Sequence, residues 1–131
     1  NMAKATFAGM KERGFGRFVQ IGSINGQAGQ YGQVNYAAAK SGIHGFTKAL
    51  AQEGARFGIT VNAIAPGYVA TDNTEALRND PVRQAQILAR IPAGRWAAPE
   101  DIQGAAVFLA SAAADYVHGA TLIVDGGWMG R

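Results

Sequence analysis

Hydrophobic and polar positions along the chain predict three buried strands separated by helices. Short, nearly continuous apolar runs, typical of strands buried on both faces, cover residues 17–23, 59–65 and 121–127. Between the first two runs, apolar side chains recur at helical spacing from residue 35 to about residue 57, and Gly58 follows as a helix end. The order of strand, long helix and strand predicts a parallel βαβ unit with a right-handed crossover.

The remaining segments add further helices around this unit. These helices are predicted over residues 1–13, over residues 73–90 with a break at Pro81, and over residues 99–111. Residues 22–32 are rich in glycine and glutamine and are predicted to form a loop. We therefore predict a single α/β domain over residues 1–131, with a partial Rossmann-like parallel sheet of about three strands and flanking helices.

Composition and charge exclude several classes of protein. With 48% hydrophobic and 16% charged residues among 131, the chain has the composition of one globular domain. Its net charge of +3 is spread without a basic run, so nothing indicates nucleic-acid binding. The lack of cysteine excludes disulfides and thiolate metal sites, and two histidines alone argue against a histidine-based metal centre. Without an apolar run of about 18 residues or a signal-peptide pattern, we expect a cytoplasmic protein that binds no membrane.

The sequence "NYAAAKSG", residues 35–42, puts a tyrosine and a lysine on one helical face. Tyr36 and Lys40 are four positions apart, and the three alanines between them add no bulk near either side chain. A fixed positive charge favours the phenolate form of a tyrosine, which makes the phenol a better proton donor and acceptor near neutral pH. By itself the pair is more typical of an exposed helix surface, so its meaning depends on its neighbours.

Two further segments are predicted to meet this pair at one edge of the sheet. Ser23 follows the first strand, and the sequence "PGYVAT", residues 66–71, follows the second. Ligands of open α/β sheets bind beyond the carboxyl ends of the strands, where these residues converge with Tyr36 and Lys40. The sequence contains no G-x-G-x-x-G turn, so a pyrophosphate-binding loop is not among its motifs.

Together these motifs resemble the short-chain dehydrogenase/reductase family. The matching motifs are Ser23, the Y-A-A-A-K sequence of residues 36–40, "VNAIAPGYVAT" at residues 61–71, and residues 90–128. The resemblance covers essentially the whole chain but only the C-terminal half of a family member. Residues 16–53 are most similar to the acetoacetyl-CoA reductases of the family, and the sequence from residue 65 onward to its 2-deoxygluconate and 2-keto-3-deoxygluconate dehydrogenases.

The resemblance implies reduction of a carbonyl, or oxidation of an alcohol, with NAD or NADP as the cofactor. Tyr36 would be the acid/base at the substrate oxygen, Lys40 would assist it and hold the nicotinamide ribose, and Ser23 would orient the substrate oxygen. Besides Tyr36 and Lys40, the residues that would bind the cofactor are Pro66, Gly67, Val69 and Thr71. Residues 73–95 would form a mobile lid over the substrate.

The cofactor glycines of the family lie upstream of these motifs. Because no glycine-rich turn of that kind occurs in the sequence, we expect activity only when the missing half is supplied. A truncated chain that binds no cofactor remains an alternative.

A hydrolase is a second hypothesis. Ser23, Tyr36 and Lys40 are also the components of a cofactor-independent esterase, with the serine as nucleophile and the tyrosine and lysine as base. The G-x-S-x-G and S-x-x-K motifs of such enzymes do not occur in the sequence. His44 and His118 are expected to be helix-surface and loop residues rather than members of a catalytic triad.

A non-catalytic, oligomerising remnant is the third hypothesis. An unpaired first strand is prone to pairing with another chain, and small side chains on the long helix permit close packing of a second helix. These small residues are Ala37, Ala38, Ala39, Ser41, Gly42 and Gly45. We therefore predict a homodimer or tetramer, in which elements can be exchanged between chains.

Overall fold

The computed structural model of the protein describes residues 2–130, and Asn1, which the predicted first helix includes, lies outside them. The α-helices are α1 (Met2–Arg13), α2 (Asn25–Ala28), α3 (Val34–Gly54), α4 (Glu75–Asn79), α5 (Pro81–Leu88) and α6 (Glu100–Ala110). The strands are β1 (Gly16–Ile21), β2 (Ile59–Pro66) and β3 (Thr121–Val124). Within the described range, no helix is both long and apolar enough to cross a membrane.

β2 is the central strand of a three-stranded parallel sheet in the order β1–β2–β3. The register pairs Gly16 with Ile59 on one side and Ala63 with Thr121 on the other. All but the last residue of β2 are buried, as expected for a parallel strand that is covered on both faces. The predicted parallel α/β sheet is thereby confirmed.

Side chains of β2 alternate between two apolar cores, one on each face of the sheet. On the face covered by α3, Ile59 and Val61 pack with Ala51. On the face covered by α6, Ile64 packs with Leu109. Burial of one such aliphatic side chain stabilises the fold by about 1.5–3 kcal/mol, so these contacts fix the two helices against the sheet.

A left-handed glycine ends the long helix region where the sequence predicts it. α3 ends at Gly54, a short 3-10 turn covers Ala55–Phe57, and Gly58 follows with φ 71°. A Cβ at Gly58 would overlap the carbonyl oxygen of Gly14. Position 58 therefore requires glycine for its backbone conformation and for the close approach of the two turns.

Two parts of the structure differ from the sequence-based expectation. The predicted loop of residues 22–32 contains the one-turn helix α2, where a Cβ at Gly26 would lie 2.7 Å from the carbonyl carbon of Lys40. Glycine in this segment thus permits a short helix to pack closely on α3, rather than only loosening the chain. β3 ends at Val124 because residues 126 and 127 have φ of 65° and 91° and turn the chain away from the sheet.

Candidate active site

The segments that follow β1 and β2 are tied together by backbone hydrogen bonds. The amide of Ile24 donates to the carbonyl of Pro66 at 3.2 Å, which continues the parallel pairing beyond the end of β1. Between β1 and Ile24, the hydroxyl of Ser23 accepts a hydrogen bond from the amide of Asn25 at 3.1 Å. Ser23 is only 7% exposed. Its position is therefore fixed by the backbone on both sides.

Tyr36 and Lys40 lie one turn apart on α3, beside the end of β1. The ammonium nitrogen of Lys40 is 5.7 Å from the centroid of the Tyr36 ring. The same ammonium donates a hydrogen bond of 2.9 Å to the carbonyl oxygen of Ile21, the last residue of β1. Tyr36 is 42% exposed, so a ligand can reach its ring. The spacing in the sequence predicts the shared face of the helix but not the bond from Lys40 to the strand.

Ser23 and Tyr36 line one cavity of about 440 Å³, which we call the Ser23 cavity. Gly67 and Tyr68, from the segment after β2, form part of its wall. The structure thus brings together three of the segments that the sequence analysis expects to converge. A volume of this size is typical of sites for small molecules.

The segment after β2 passes very close to the end of β3. A Cβ at Gly67 would lie 2.7 Å from Cα of Asp125, so only glycine permits this approach. Val69 forms a parallel bridge with Ala97, whose hydrogen bonds are made by the neighbouring residues Tyr68 and Ala70. The amide and the carbonyl of Val69 itself therefore point away from Ala97. The carbonyl accepts from the hydroxyl of Thr74 at 2.7 Å, whereas the amide has no hydrogen-bond partner among residues 2–130.

The other predicted cofactor residues of this segment have local contacts. Pro66 is the last residue of β2, and Thr71 begins a short 3-10 turn in which its amide donates to the hydroxyl of Thr74 at 3.1 Å. The carbonyl of Thr71 accepts from the guanidinium of Arg78 at 3.1 Å. Pro66, Val69 and Thr71 lie outside the wall of the Ser23 cavity.

His44 is a contact of Ser23 that the sequence analysis does not identify. It lies two turns after Tyr36 on α3 and is half-buried, although it was expected at the helix surface. Its Nε2 is 3.3 Å from the carbonyl oxygen of Ser23, and its Nδ1 is 3.1 Å from the hydroxyl of Thr121. Because a carbonyl can only accept, the proton is assigned to Nε2. The spacing of positions 36, 40 and 44 could have revealed this contact. His118, in contrast, is exposed in a loop, as expected.

An ion pair stabilises the loop that supports the segment after β2. The guanidinium of Arg95 donates two hydrogen bonds, of 2.6 and 2.9 Å, to the carboxylate of Asp101. The amide of Ala98 donates to the same carboxylate at 2.7 Å. The hydrogen bond from Arg95, followed by that from Ala98, lowers the pKa of Asp101 to about 2. Ala97 of this loop forms the bridge to Val69, so the ion pair lies close in sequence to a backbone contact of the segment after β2.

Tyr68 forms an aromatic wall with two tryptophans. Its ring centroid is 5.3 Å from that of Trp96, in an edge-on arrangement, and 4.7 Å from that of Trp128, in a tilted one. The guanidinium of Arg90 lies 3.9 Å from the centroid of the Trp128 ring. These contacts hold the ring of Tyr68, which is part of the wall of the Ser23 cavity.

The site offers groups that transfer protons. A phenol, an ammonium group and a buried hydroxyl lie at the carboxyl ends of parallel strands, where α/β proteins bind their ligands. Among residues 2–130, no three His, Asp or Glu side chains are grouped so that they could hold a metal ion. The parallel sheet, with helices on both faces and a cavity at this edge, defines a partial Rossmann-like fold.

Comparison with known proteins identifies the family. Residues 1–129 match the family model described as enoyl-(acyl carrier protein) reductase. The chain therefore belongs to this family of the short-chain dehydrogenases/reductases, and the resemblance drawn from the sequence is confirmed.

Dehydrogenases and reductases are among the similar proteins. Acetoacetyl-CoA reductase of Allochromatium vinosum is 54% identical over 127 residues, which are 97% of this chain and 51% of the reductase. The 2-dehydro-3-deoxy-D-gluconate 5-dehydrogenase of Dickeya dadantii is 53% identical over 116 residues, 88% of this chain and 46% of that enzyme. A crystal structure of a candidate 2-deoxy-D-gluconate 3-dehydrogenase from Agrobacterium tumefaciens, with bound NADP, is 56% identical with a TM-score of 0.95, and the match covers 98% of this chain and 53% of that one. The chain spans about half the length of these relatives.

Proposed function

We propose that the chain carries the catalytic part of an NAD- or NADP-dependent oxidoreductase that interconverts a carbonyl and an alcohol. One observation carries the proposal: Ser23 and Tyr36 line the same cavity, and the ammonium nitrogen of Lys40 lies 5.7 Å from the centroid of the Tyr36 ring. Such an arrangement offers a substrate oxygen a hydrogen-bond donor and a proton donor together. The reductases and dehydrogenases among the relatives support the same class of reaction.

Each of the three side chains has a distinct role in this proposal. Tyr36 donates a proton to the substrate oxygen during reduction and takes one during oxidation. Ser23 already accepts a hydrogen bond from the amide of Asn25, so its hydroxyl proton is left to donate to the same oxygen. Lys40 has three ammonium protons, so its bond to Ile21 leaves two for the phenol or a sugar hydroxyl.

The residues of this chain fit the nicotinamide end of the cofactor. The amide of Val69 is a backbone donor without a partner among residues 2–130, which suits a carboxamide oxygen. Lys40 supplies protons for ribose hydroxyls, and Pro66, Gly67 and Thr71 complete the proposed lining. When bound, the nicotinamide supplies or accepts the hydride. No residue of this chain is assigned to the pyrophosphate.

A cofactor-independent esterase is the weaker candidate. A nucleophilic serine needs a base in hydrogen-bond contact with its hydroxyl. His44 contacts the carbonyl of Ser23 and not its hydroxyl, and the ammonium of Lys40 is bonded to Ile21. The named relatives give this candidate no support.

Self-association is part of the proposal. A Cβ added to Gly42 or Gly45 would lie within 4 Å of no atom outside the neighbouring backbone of its own helix. Phe46, on the same helix, is 40% exposed. This side of α3 therefore has room for a second helix, and we expect a homodimer or tetramer. Multi-angle light scattering tests the expectation, and a stable monomer would contradict it.

Calorimetric titration with NADH and NADPH tests the cofactor first. We expect weak binding to the chain alone and tighter binding when the part of the Allochromatium reductase that this chain does not match is co-expressed. Cofactor absorbance then follows turnover of acetoacetyl-CoA and of 2-dehydro-3-deoxy-D-gluconate. Absence of cofactor binding in both preparations would contradict the proposal.

Variants made in the co-expressed preparation test the roles of the side chains. Tyr36→Phe should lower kcat by a factor of about 10²–10⁴, the usual contribution of general acid–base catalysis. Tyr31→Phe is the matched control, because Tyr31 is fully exposed and lies outside the cavity. Hydrolysis of a p-nitrophenyl ester without cofactor, lost in Ser23→Ala, would instead support the esterase.

A further inference from the structure

A second cavity adjoins the Ser23 cavity and differs from it in charge. It has a volume of about 520 Å³ and shares Gln30, Tyr68 and Leu77 with the Ser23 cavity, so these side chains form a wall common to both. Among residues 2–130, its other lining residues include Arg83 and Arg90 and no aspartate or glutamate. We call it the arginine cavity. Guanidinium groups at the wall of a cavity favour an anionic ligand.

The position of Arg83 is not explained by the stability of its helix. Arg83 is the third residue of α5, where the partial positive charge of the helix N-terminus disfavours a cation. The nearest carboxylate in sequence, that of Asp80, caps the helix by accepting from the amides of Val82 and Arg83, both at 3.0 Å. The guanidinium of Arg83 forms no ion pair or hydrogen bond with any of residues 2–130. Its charge is therefore available to a ligand.

Arg90 is held in place by an aromatic side chain. Its guanidinium stacks on Trp128 at 3.9 Å, and Trp128 in turn packs against Tyr68. The carboxylate of Asp125 accepts from the amides of Gly127 and Met129, both at 2.8 Å, and so fixes the backbone on both sides of Trp128. Stacking on Trp128 holds the positive charge of Arg90 at the wall of the arginine cavity.

We propose that the arginine cavity binds the carboxylate of a short hydroxy or oxo acid, and that Arg83 determines this specificity. The planar fork of a guanidinium matches a carboxylate with two parallel hydrogen bonds. Gln30 and Gln86, which also line the cavity, offer amide donors and acceptors that suit hydroxyl groups along the acid. The inference rests on the proposed function, because it places the carbon that is oxidised or reduced in the Ser23 cavity while the carboxylate lies in the arginine cavity. Phosphates of a CoA thioester are the other source of negative charge.

Binding of gluconate and glucitol to the chain without cofactor tests the proposal. The two compounds differ only in that glucitol has a hydroxymethyl group where gluconate has a carboxylate. We expect gluconate to bind and glucitol to bind much more weakly, as followed by NMR titration. Arg83→Met should weaken gluconate binding about tenfold or more, because a hydrogen bond to a charged group is lost. Arg83→Lys, which keeps the charge without the planar fork, should fall between the two.

Arg56→Met is the matched control, since Arg56 is exposed, lines neither cavity and carries the same charge. Equal binding of gluconate and glucitol, or unchanged binding in Arg83→Met, would overturn the proposal. Binding of CoA but not of gluconate would overturn the assignment to a carboxylate. Tyr36→Phe leaves the arginine cavity intact, so this variant should still bind gluconate in preference to glucitol. Binding that depends on Arg83, without any turnover in the co-expressed preparation with cofactor, would refute the proposed function alone. Turnover of neutral ketones there without a preference for acids would refute the arginine cavity alone.

Discussion

Asn62 is a fully buried polar residue of β2, and its replacement should cost the fold a large part of its stability. Its side-chain amide donates to the carbonyl of Val117 at 2.8 Å, and its carbonyl accepts from the amide of Ala120 at 3.0 Å. Asn62→Ala leaves both backbone groups without a partner. Each unsatisfied buried group costs about 1–3 kcal/mol, so the free energy of unfolding should fall by about 2–6 kcal/mol. Because typical domains have about 5–15 kcal/mol in total, this loss is easily measured.

Thr60 provides a matched control on the same strand and the same face. It is 2% exposed, and its hydroxyl has no hydrogen-bond partner among residues 2–130. Thr60→Val replaces that hydroxyl by a methyl group of similar size. Because an unpaired buried hydroxyl is itself unfavourable, the free energy of unfolding should stay the same or rise by about 1 kcal/mol.

Urea unfolding followed by circular dichroism measures both changes. We expect the midpoint to fall in Asn62→Ala and to be maintained or to rise in Thr60→Val, with similar m-values in all three proteins. An Asn62→Ala midpoint equal to that of the parent would refute the reasoning. So would a loss in Thr60→Val as large as that in Asn62→Ala, because the two hydrogen bonds would then not be the cause.

Three further predictions concern the site and its surroundings. A Cβ at Gly22 would lie 2.9 Å from Cε1 of His44. Gly22→Ala should therefore lower the melting temperature, and adding His44→Ala should recover part of the loss if this contact is the cause. The pKa of Asp101 is lowered to about 2 in the folded chain. Its contribution to stability is therefore present above about pH 4 and is lost as the pH falls toward 2, and acid titration of Asp101→Asn should lack this component. Asp125→Ala removes the acceptor for two backbone amides beside Trp128, so tryptophan emission should shift to the red, and unchanged emission would contradict the role of this carboxylate.

The sequence predicts the long helix and the three strands well because their patterns are local. β2 is a mainly apolar segment that packs against apolar residues on both faces of the sheet. Gly58 marks the helix end by a conformation that few other residues adopt. The helix α2 was not predicted, because its glycine and glutamine residues are typical of loops. It is stabilised by packing on α3, which composition does not reveal.

The candidate site was predictable only in part. Ser23 and Tyr36 are marked by their places on the predicted elements, and they do line one cavity. The bond from Lys40 to Ile21 depends on the rotamer that the lysine adopts, which spacing does not determine. The arginine cavity combines side chains from five separate segments of the chain. No local pattern links those segments, so only the folded chain brings them together.

The position of β2 at the centre of a purely parallel sheet has a consequence for the rate of folding. Each of its ladders joins residues that are tens of positions apart, such as Gly16 with Ile59 and Ala63 with Thr121. No hairpin can form first and guide the pairing, so a long segment must be closed before either ladder gains a hydrogen bond. Proteins dominated by such distant pairings fold on the scale of about milliseconds to seconds. The helices of this chain should therefore form transiently well before its sheet, and the edge at which Ser23 and Tyr36 meet should be completed in the last, cooperative step.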